Sequence, residues 1–172
     1  MDKLDRIGIL GGSFDPIHLG HLNMGLRALE DFNLDRVFYI TAKNSPFKVN
    51  KNFSDAQKRH ELVESTLADH TGLEASRIEL DREEEVSYTY QTIEEYKKLY
   101  PDSELFLLLG EDVFSRFNQW KSYDWIMQNI RPIVFSRGNS SFTATGVDYV
   151  EDFDFPISST ELRKQGLSSS AT

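Results

Sequence analysis

The chain of 172 residues contains no cysteine. That excludes a disulfide framework, a thiolate nucleophile and any cysteine-based metal site. Positive charge is scarce: 19 Lys and Arg stand against 28 Asp and Glu, for a net charge of -9. Such a balance argues against a nucleic-acid surface, which needs a broad basic patch. No apolar run reaches the length of a membrane span. The opening Met1-Asp2-Lys3-Leu4-Asp5 leads into an apolar stretch too short for a signal peptide. A cytoplasmic protein without membrane or nucleic-acid partners is the expectation. There is no internal repeat and no long linker, and 39% of the residues are hydrophobic. One domain over residues 1–167 is expected, with the Ser-rich end, 168–172, as a disordered tail.

Two familiar glycine signatures are missing as well. The glycines near the N-terminus are not followed by the Lys-Ser/Thr pair of a Walker A loop, and Gly8, Gly11 and Gly12 do not make G-x-G-x-x-G. What stands there instead is Gly8-Ile9-Leu10-Gly11-Gly12-Ser13-Phe14-Asp15-Pro16-Ile17-His18-Leu19-Gly20-His21. An apolar run ends at two glycines, Asp-Pro marks a turn, and a helical pattern begins near Leu19. Glycines let backbone N–H groups approach a ligand, and a helix N-terminus adds free donors and partial positive charge, so phosphate is the natural guest. His18 and His21, three apart at the helix start, fall on one face and can both donate to phosphate oxygens. Zinc would need further ligands, and the only other histidines are His60 and His70. No metal site is expected.

Beyond this turn, strand-like runs alternate with helical patterns, the signature of βαβ units. Strands are predicted at Arg6–Gly11, Val37–Thr41, Arg77–Leu80, Leu105–Gly110 and Ile133–Ser136, with a sixth candidate at Val147–Val150. Helices are predicted at Leu19–Phe32, Ser54–Asp69, Tyr90–Tyr100 and Tyr123–Gln128. Leu105 to Leu109 shows no polar alternation and reads as a central strand. The fold class is therefore α/β: a Rossmann-like, doubly wound, mainly parallel sheet of five or six strands with helices on both faces. Ligands of such sheets sit beyond the carboxyl ends of the strands.

That rule singles out several residues. Lys48 follows the Pro-containing turn after the second strand. Gly110 allows close backbone approach at the end of the central strand, and Asp112 there suits either ribose hydroxyls or a helix N-cap. Trp120 offers a stacking surface or ordinary core packing. Arg137 follows the fifth strand and is a candidate for nucleotide contact. Ser158 with Glu161 makes a capping box, and Ser158, Ser159 and Thr160 with Arg163 also form a second phosphate cradle at a helix start. Arg59 is expected on a helix surface, pairing with a carboxylate.

GGSFDPIHLGH resembles the (H/T)xGH signature of the nucleotidyltransferase α/β phosphodiesterase superfamily. It is very similar to the GG(T/S)FDPxHxGH form of bacterial nicotinate-nucleotide adenylyltransferases. Further resemblances follow in order: Ser45-Pro46-Phe47-Lys48 to a PPHK segment that departs at two of four positions, Ser87-Tyr88-Thr89 to SYTxxT, Gly110 to Lys121 to GxDxxxxF followed by W-K, and ISSTELR to ISST(E/x)(I/L)R. The matching blocks span Gly8 to Arg163. The interval after Arg137 and the stretch after Arg163 are shorter than the family's.

The resemblance implies adenylyl transfer from ATP to nicotinate mononucleotide, giving nicotinate adenine dinucleotide and pyrophosphate. His18, His21, Lys48 and Arg163 would be the catalytic donors. ATP would be held by Gly11, Gly12, Ser13, Phe14, His18, His21, Gly110, Asp112, Arg137, Ser158, Ser159, Thr160 and Arg163. The mononucleotide would meet Ser13, Lys48, Tyr88, Thr89 and Trp120. Mg²⁺ is expected with ATP, held by phosphate and water, with no prosthetic group. Homo-oligomerisation stays open, as do nicotinamide mononucleotide as the acceptor, another adenylyltransferase of the superfamily, and a catalytically weak nucleotide-binding protein.

Overall fold

A computed structural model describes residues 4–43, 55–84, 86–136 and 146–153. Six strands, β1 (Asp5–Gly12), β2 (Arg36–Thr41), β3 (Leu73–Ser76), β4 (Ser103–Gly110), β5 (Arg131–Phe135) and β6 (Asp148–Val150), form one sheet in the order β3-β2-β1-β4-β5-β6. All five strand pairings are parallel, with Gly8 opposite Val37 on one side of β1 and Ile7 opposite Leu105 on the other. The chain thus winds outward twice from the β1–β4 boundary, and the crevice at such a reversal is where α/β sheets take ligands.

Both faces of the sheet are covered, which is why the central strands read as apolar without alternation. One face is packed by α1 (Leu19–Asp31) and α2 (Ala56–Leu67), with Leu22, Ala28, Val63 and Leu67 buried against Leu10, Tyr39 and Leu108. The opposite face takes α3 (Thr89–Leu99) and α5 (Tyr123–Asn129), with Ile93, Tyr96 and Ile126 against Ile9, Ile40 and Leu107. No helix among the described residues is long and apolar enough to cross a membrane.

The third strand is not where the apolar pair Ile78 and Leu80 suggested. It runs Leu73–Ser76, with Leu73 beside Val37 and Ser76 beside Ile40. Residues 77–84 instead form turns, closed by the Asp81 N–H donating to the Arg77 carbonyl at 2.9 Å. The physical reason is that β3 is an edge strand in which only Leu73 is buried, so its sequence carries no hydrophobic run. Two short elements were also unforeseen: α4 (Glu111–Phe114) and a 3-10 turn at Phe117–Gln119. The start of α2 lies two residues past Ser54, because the Asp55 carboxylate caps it by accepting from the N–H groups of Gln57 and Lys58.

Candidate active site

β1, β2 and β4 deliver Gly12, Thr41 and Gly110 to the same edge of the sheet, and the Ala42 N–H donates to the Gly12 carbonyl at 2.9 Å. A Cβ built on Gly11 or on Gly110 meets nothing within 4 Å, so the backbone of both central strands faces open space there. Immediately after Gly12 the chain folds back on itself. Phe14 adopts φ 49°, a left-handed conformation that costs a residue with a side chain on the order of 1–2 kcal/mol. Its buried ring compensates, lying edge-on to His21 at 5.0 Å and 5.9 Å from the Tyr39 ring. Asp15 is buried too, and the Asp15–Pro16 peptide is cis.

The turn ends in an unusual helix cap. His18 is the N-cap of α1, and its Nδ1 accepts the Gly20 N–H at 3.0 Å. His21 reciprocates three residues on, its Nδ1 accepting the His18 N–H at 3.2 Å. The two imidazoles stack with centroids 3.8 Å apart and planes 27° from parallel. With both Nδ1 atoms occupied as acceptors, a neutral ring carries its proton on Nε2, and each histidine presents an Nε2–H donor away from the cap. Burial lowers the pKa of His18, favouring that neutral form. A proton added at Nδ1 would also break the cap bond to Gly20.

Arg59 is not on a helix surface. It is 2% exposed, and its Nη1 donates to the carbonyls of Ser13 at 2.5 Å and Ala42 at 2.9 Å, with Nη2 3.4 Å from that of Lys43. One guanidinium therefore ties the turn after β1 to the turn after β2. Burial lowers its pKa, against the opposing pull of the Asp15 and Asp55 carboxylates. Beside it, the buried His60 Nδ1 lies 2.9 Å from the Thr41 hydroxyl, and Lys43 Nζ donates to the Arg82 carbonyl at 2.8 Å. The surface expectation failed because nothing local in a polar helix reveals that one of its arginines points at neighbouring loops.

The second half of the edge brings other expected residues together. Gly110 is the N-cap of α4, so Asp112 is the second residue inside that helix and exposed, and does not serve as the cap. The Ser136 hydroxyl at the end of β5 donates to Glu111 at 3.1 Å. Tyr88 precedes α3, where its N–H donates to the Gln91 side chain at 3.0 Å, and Thr89 is the first helical residue. Lys121 Nζ sits 4.7 Å above the Tyr88 ring, so the turn before α3 and the segment after the 3-10 turn touch. Trp120 is half-buried, edge-on to Phe117 at 4.9 Å and packed on the second core. Lys48, Arg137, Ser158, Ser159, Thr160 and Arg163 lie outside the described residues, as does the tail 168–172.

Two residues at this edge were not singled out from sequence. Tyr39 and Gly25 sit in apolar patterns that read simply as core, yet the Tyr39 hydroxyl reaches the first turns of α1. Only the structure exposes that contact.

Comparison with known proteins places the fold in a family. The chain matches the cytidylyltransferase-like family over residues 9–165. It therefore belongs to the cytidylyltransferase-like family. It is 38% identical to a protein of Dictyoglomus turgidum over 95% of this chain and 86% of that protein, and 38% identical to one of Clostridium botulinum over 80% of this chain and 68% of that one. Both bear the name "Probable nicotinate-nucleotide adenylyltransferase", and the chain is a member of that branch. The fold is that of the Plasmodium falciparum nicotinic acid mononucleotide adenylyltransferase complexed with NaAD, with a TM-score of 0.77 at 19% identity over 93% of this chain and 83% of that one. A second complex of the same parasite enzyme, with APC, gives 0.74 at 18% identity, again over 93% and 83%.

Proposed function

We propose that this protein transfers the adenylyl group of ATP to nicotinate mononucleotide, releasing pyrophosphate and forming nicotinate adenine dinucleotide. The observation that carries the reading is the pair of Nε2–H donors on His18 and His21, fixed by the reciprocal cap at the open edge between Gly11 and Gly110.

The chemistry asks little of an acid or base. A phosphate monoester is already largely dianionic near neutrality, with a second pKa of about 6. Its oxygen forms a bond to the α-phosphorus of ATP as the bond to pyrophosphate breaks, so no covalent enzyme intermediate is needed. What the protein must supply is alignment and neutralisation of charge on the transferring phosphoryl oxygens and the leaving group. The two histidine N–H groups and the helix N-terminus beneath them suit the transferring phosphate. On the strength of the motif resemblance, Lys48 takes the mononucleotide phosphate, Ser158, Ser159, Thr160 and Arg163 take the ATP phosphates, and Gly110 and Asp112 take the adenylate side, while Arg137, by its place after the fifth strand, is a candidate for nucleotide contact. Tyr88, Thr89 and Trp120 receive the pyridine ring. Among the described residues no group of three or more His, Asp or Glu could hold a metal. Mg²⁺ would arrive with the substrate, held by the triphosphate and water.

The test is pyrophosphate release by the purified chain with ATP, Mg²⁺ and, side by side, the acid and amide mononucleotides. Turnover several-fold faster with the acid is expected. Failure with every pyridine mononucleotide would sink the assignment.

A further inference from the structure

We propose that Tyr39 is a positioning residue for His21, and that Gly25 exists to admit its hydroxyl. The inference rests on the adenylyl-transfer reading for its kinetic consequence, though not for its geometry.

Tyr39 is fully buried in β2, beneath α1. Its hydroxyl donates to the His21 carbonyl at 2.6 Å and accepts the Gly25 N–H at 3.2 Å, with the Leu22 carbonyl also 3.2 Å away. His21 and Gly25 are four residues apart, the two ends of one helical hydrogen-bond step. A side chain inserted at such a step bends or offsets the helix locally. The hydroxyl is thus a fixed spacer, anchored in the sheet, under the backbone of a residue that touches the reacting phosphate. Burial pushes the Tyr39 phenol far above its ordinary pKa, so it remains a donor at every working pH.

The space for that hydroxyl comes from Gly25. A Cβ there would lie 2.1 Å from Tyr39 Oη, its nearest neighbour, and 2.9 Å from both Tyr39 Cζ and the end of the Leu73 side chain, far inside contact distance. No positive φ is recorded for Gly25, so its helical backbone does not demand glycine. The void does. Phe14 completes the support by packing on both Tyr39 and His21. His21 is therefore held through its ring by Phe14 and His18 and through its backbone by Tyr39 of β2.

Tyr39→Phe removes one oxygen from a buried ring and should fold. Tyr96→Phe is the matched control, because its buried hydroxyl donates to Ser76 on the opposite face of the sheet. In Tyr39→Phe, kcat should fall about fivefold to tenfold with KM for both substrates within about twofold, since misplacement of a catalytic group weakens the transition state more than ground-state binding. The imidazole ¹H–¹⁵N signals of His18 and His21 should shift in Tyr39→Phe and stay in place in Tyr96→Phe. Gly25→Ala should lose more activity than Tyr39→Phe, and Gly25→Ala combined with Tyr39→Phe should recover part of that loss. Equal kcat and unmoved imidazole signals in the two Tyr→Phe variants would overturn the proposal, as would a double variant no better than Gly25→Ala. If the wild-type chain shows no adenylyl transfer, the functional reading fails, while the imidazole signals still decide the role of Tyr39.

Discussion

The turn carrying His18 and His21 and the turn carrying Tyr88 and Thr89 stand at the same edge of the sheet, and each opens a helix. They are held in different ways. The first is tied by directional contacts: two Nδ1–backbone bonds, the Tyr39 hydroxyl under His21, and the Arg59 guanidinium under Ser13. The second keeps one bond of the same kind, from the Tyr88 N–H to the Gln91 side chain, and otherwise relies on softer contacts, with Lys121 over the Tyr88 ring and the Tyr88 and Tyr90 rings 6.2 Å apart. The Ser87 hydroxyl there is buried without a hydrogen-bond partner among the described residues, and a buried polar group left unpaired costs about 1–3 kcal/mol. On the proposed reading, the turn that faces the transferring phosphate is the more tightly tied. The turn proposed to receive the pyridine ring combines its one cap bond with deformable contacts and a spare hydroxyl.

The largest effect should come from breaking the rigid turn. His18→Ala removes both a donor and a helix cap. Loss of a donor to the transferring phosphate should lower kcat/KM by about 10²–10³-fold, and loss of the cap should cost about 1 kcal/mol of stability. His18→Asn separates the two jobs, since asparagine caps well but offers no imidazole. Its melting temperature should return toward wild type while its kcat/KM stays low. If His18→Asn were as active as wild type, the imidazole would have only a capping role.

The segment beside the softer turn should respond in KM. Trp120→Leu keeps apolar packing on Phe117 but removes the flat face, and stacking of this kind is worth about 0.5–1.5 kcal/mol. KM for the mononucleotide should rise by up to about tenfold with kcat changed by less than about threefold. The reverse pattern, a fall in kcat with KM held, would place Trp120 in the rigid half of the site.

How much of this was legible in the sequence depends on the range of the interactions involved. The parallel α/β architecture was readable because β1, β2 and β4 are buried on both faces and their apolar runs say so locally. The pairing of His18 with His21 was readable because a spacing of three at a helix start is a local geometric statement. The placement of β3 was not, because an edge strand with one buried residue looks like its neighbouring turns. Arg59 and Tyr39 were misread or passed over for a common reason. Their partners lie 46 and 18 residues away, and no local pattern encodes which carbonyl a buried side chain will reach.

The smallest effect sharpens the comparison most, because the two turns should answer pH with opposite sign. His18 is buried with its pKa lowered from 6.5 by desolvation. Its unfolded form binds a proton before its folded form does, so the stability it contributes is present above pH 6.5 and is lost as pH falls below 6.5 through its folded pKa. Behind the other turn, Glu79 accepts from the Thr92 hydroxyl at 3.1 Å. Burial raises its pKa above 4.5, with Thr92 and Arg82 opposing the shift. Its folded form binds the proton first, so its contribution is present below pH 4.5 and is lost as pH rises through its folded pKa. Thermal melts of wild type, His18→Asn and Glu79→Gln across this range isolate the two groups. His18→Asn should flatten the loss of stability on acidification below pH 6.5, and Glu79→Gln should gain on wild type as pH rises from 4.5 through Glu79's folded pKa, levelling off above it. Parallel curves for all three proteins would mean that neither group is linked to folding, and that the contrast between the turns stops at their contacts.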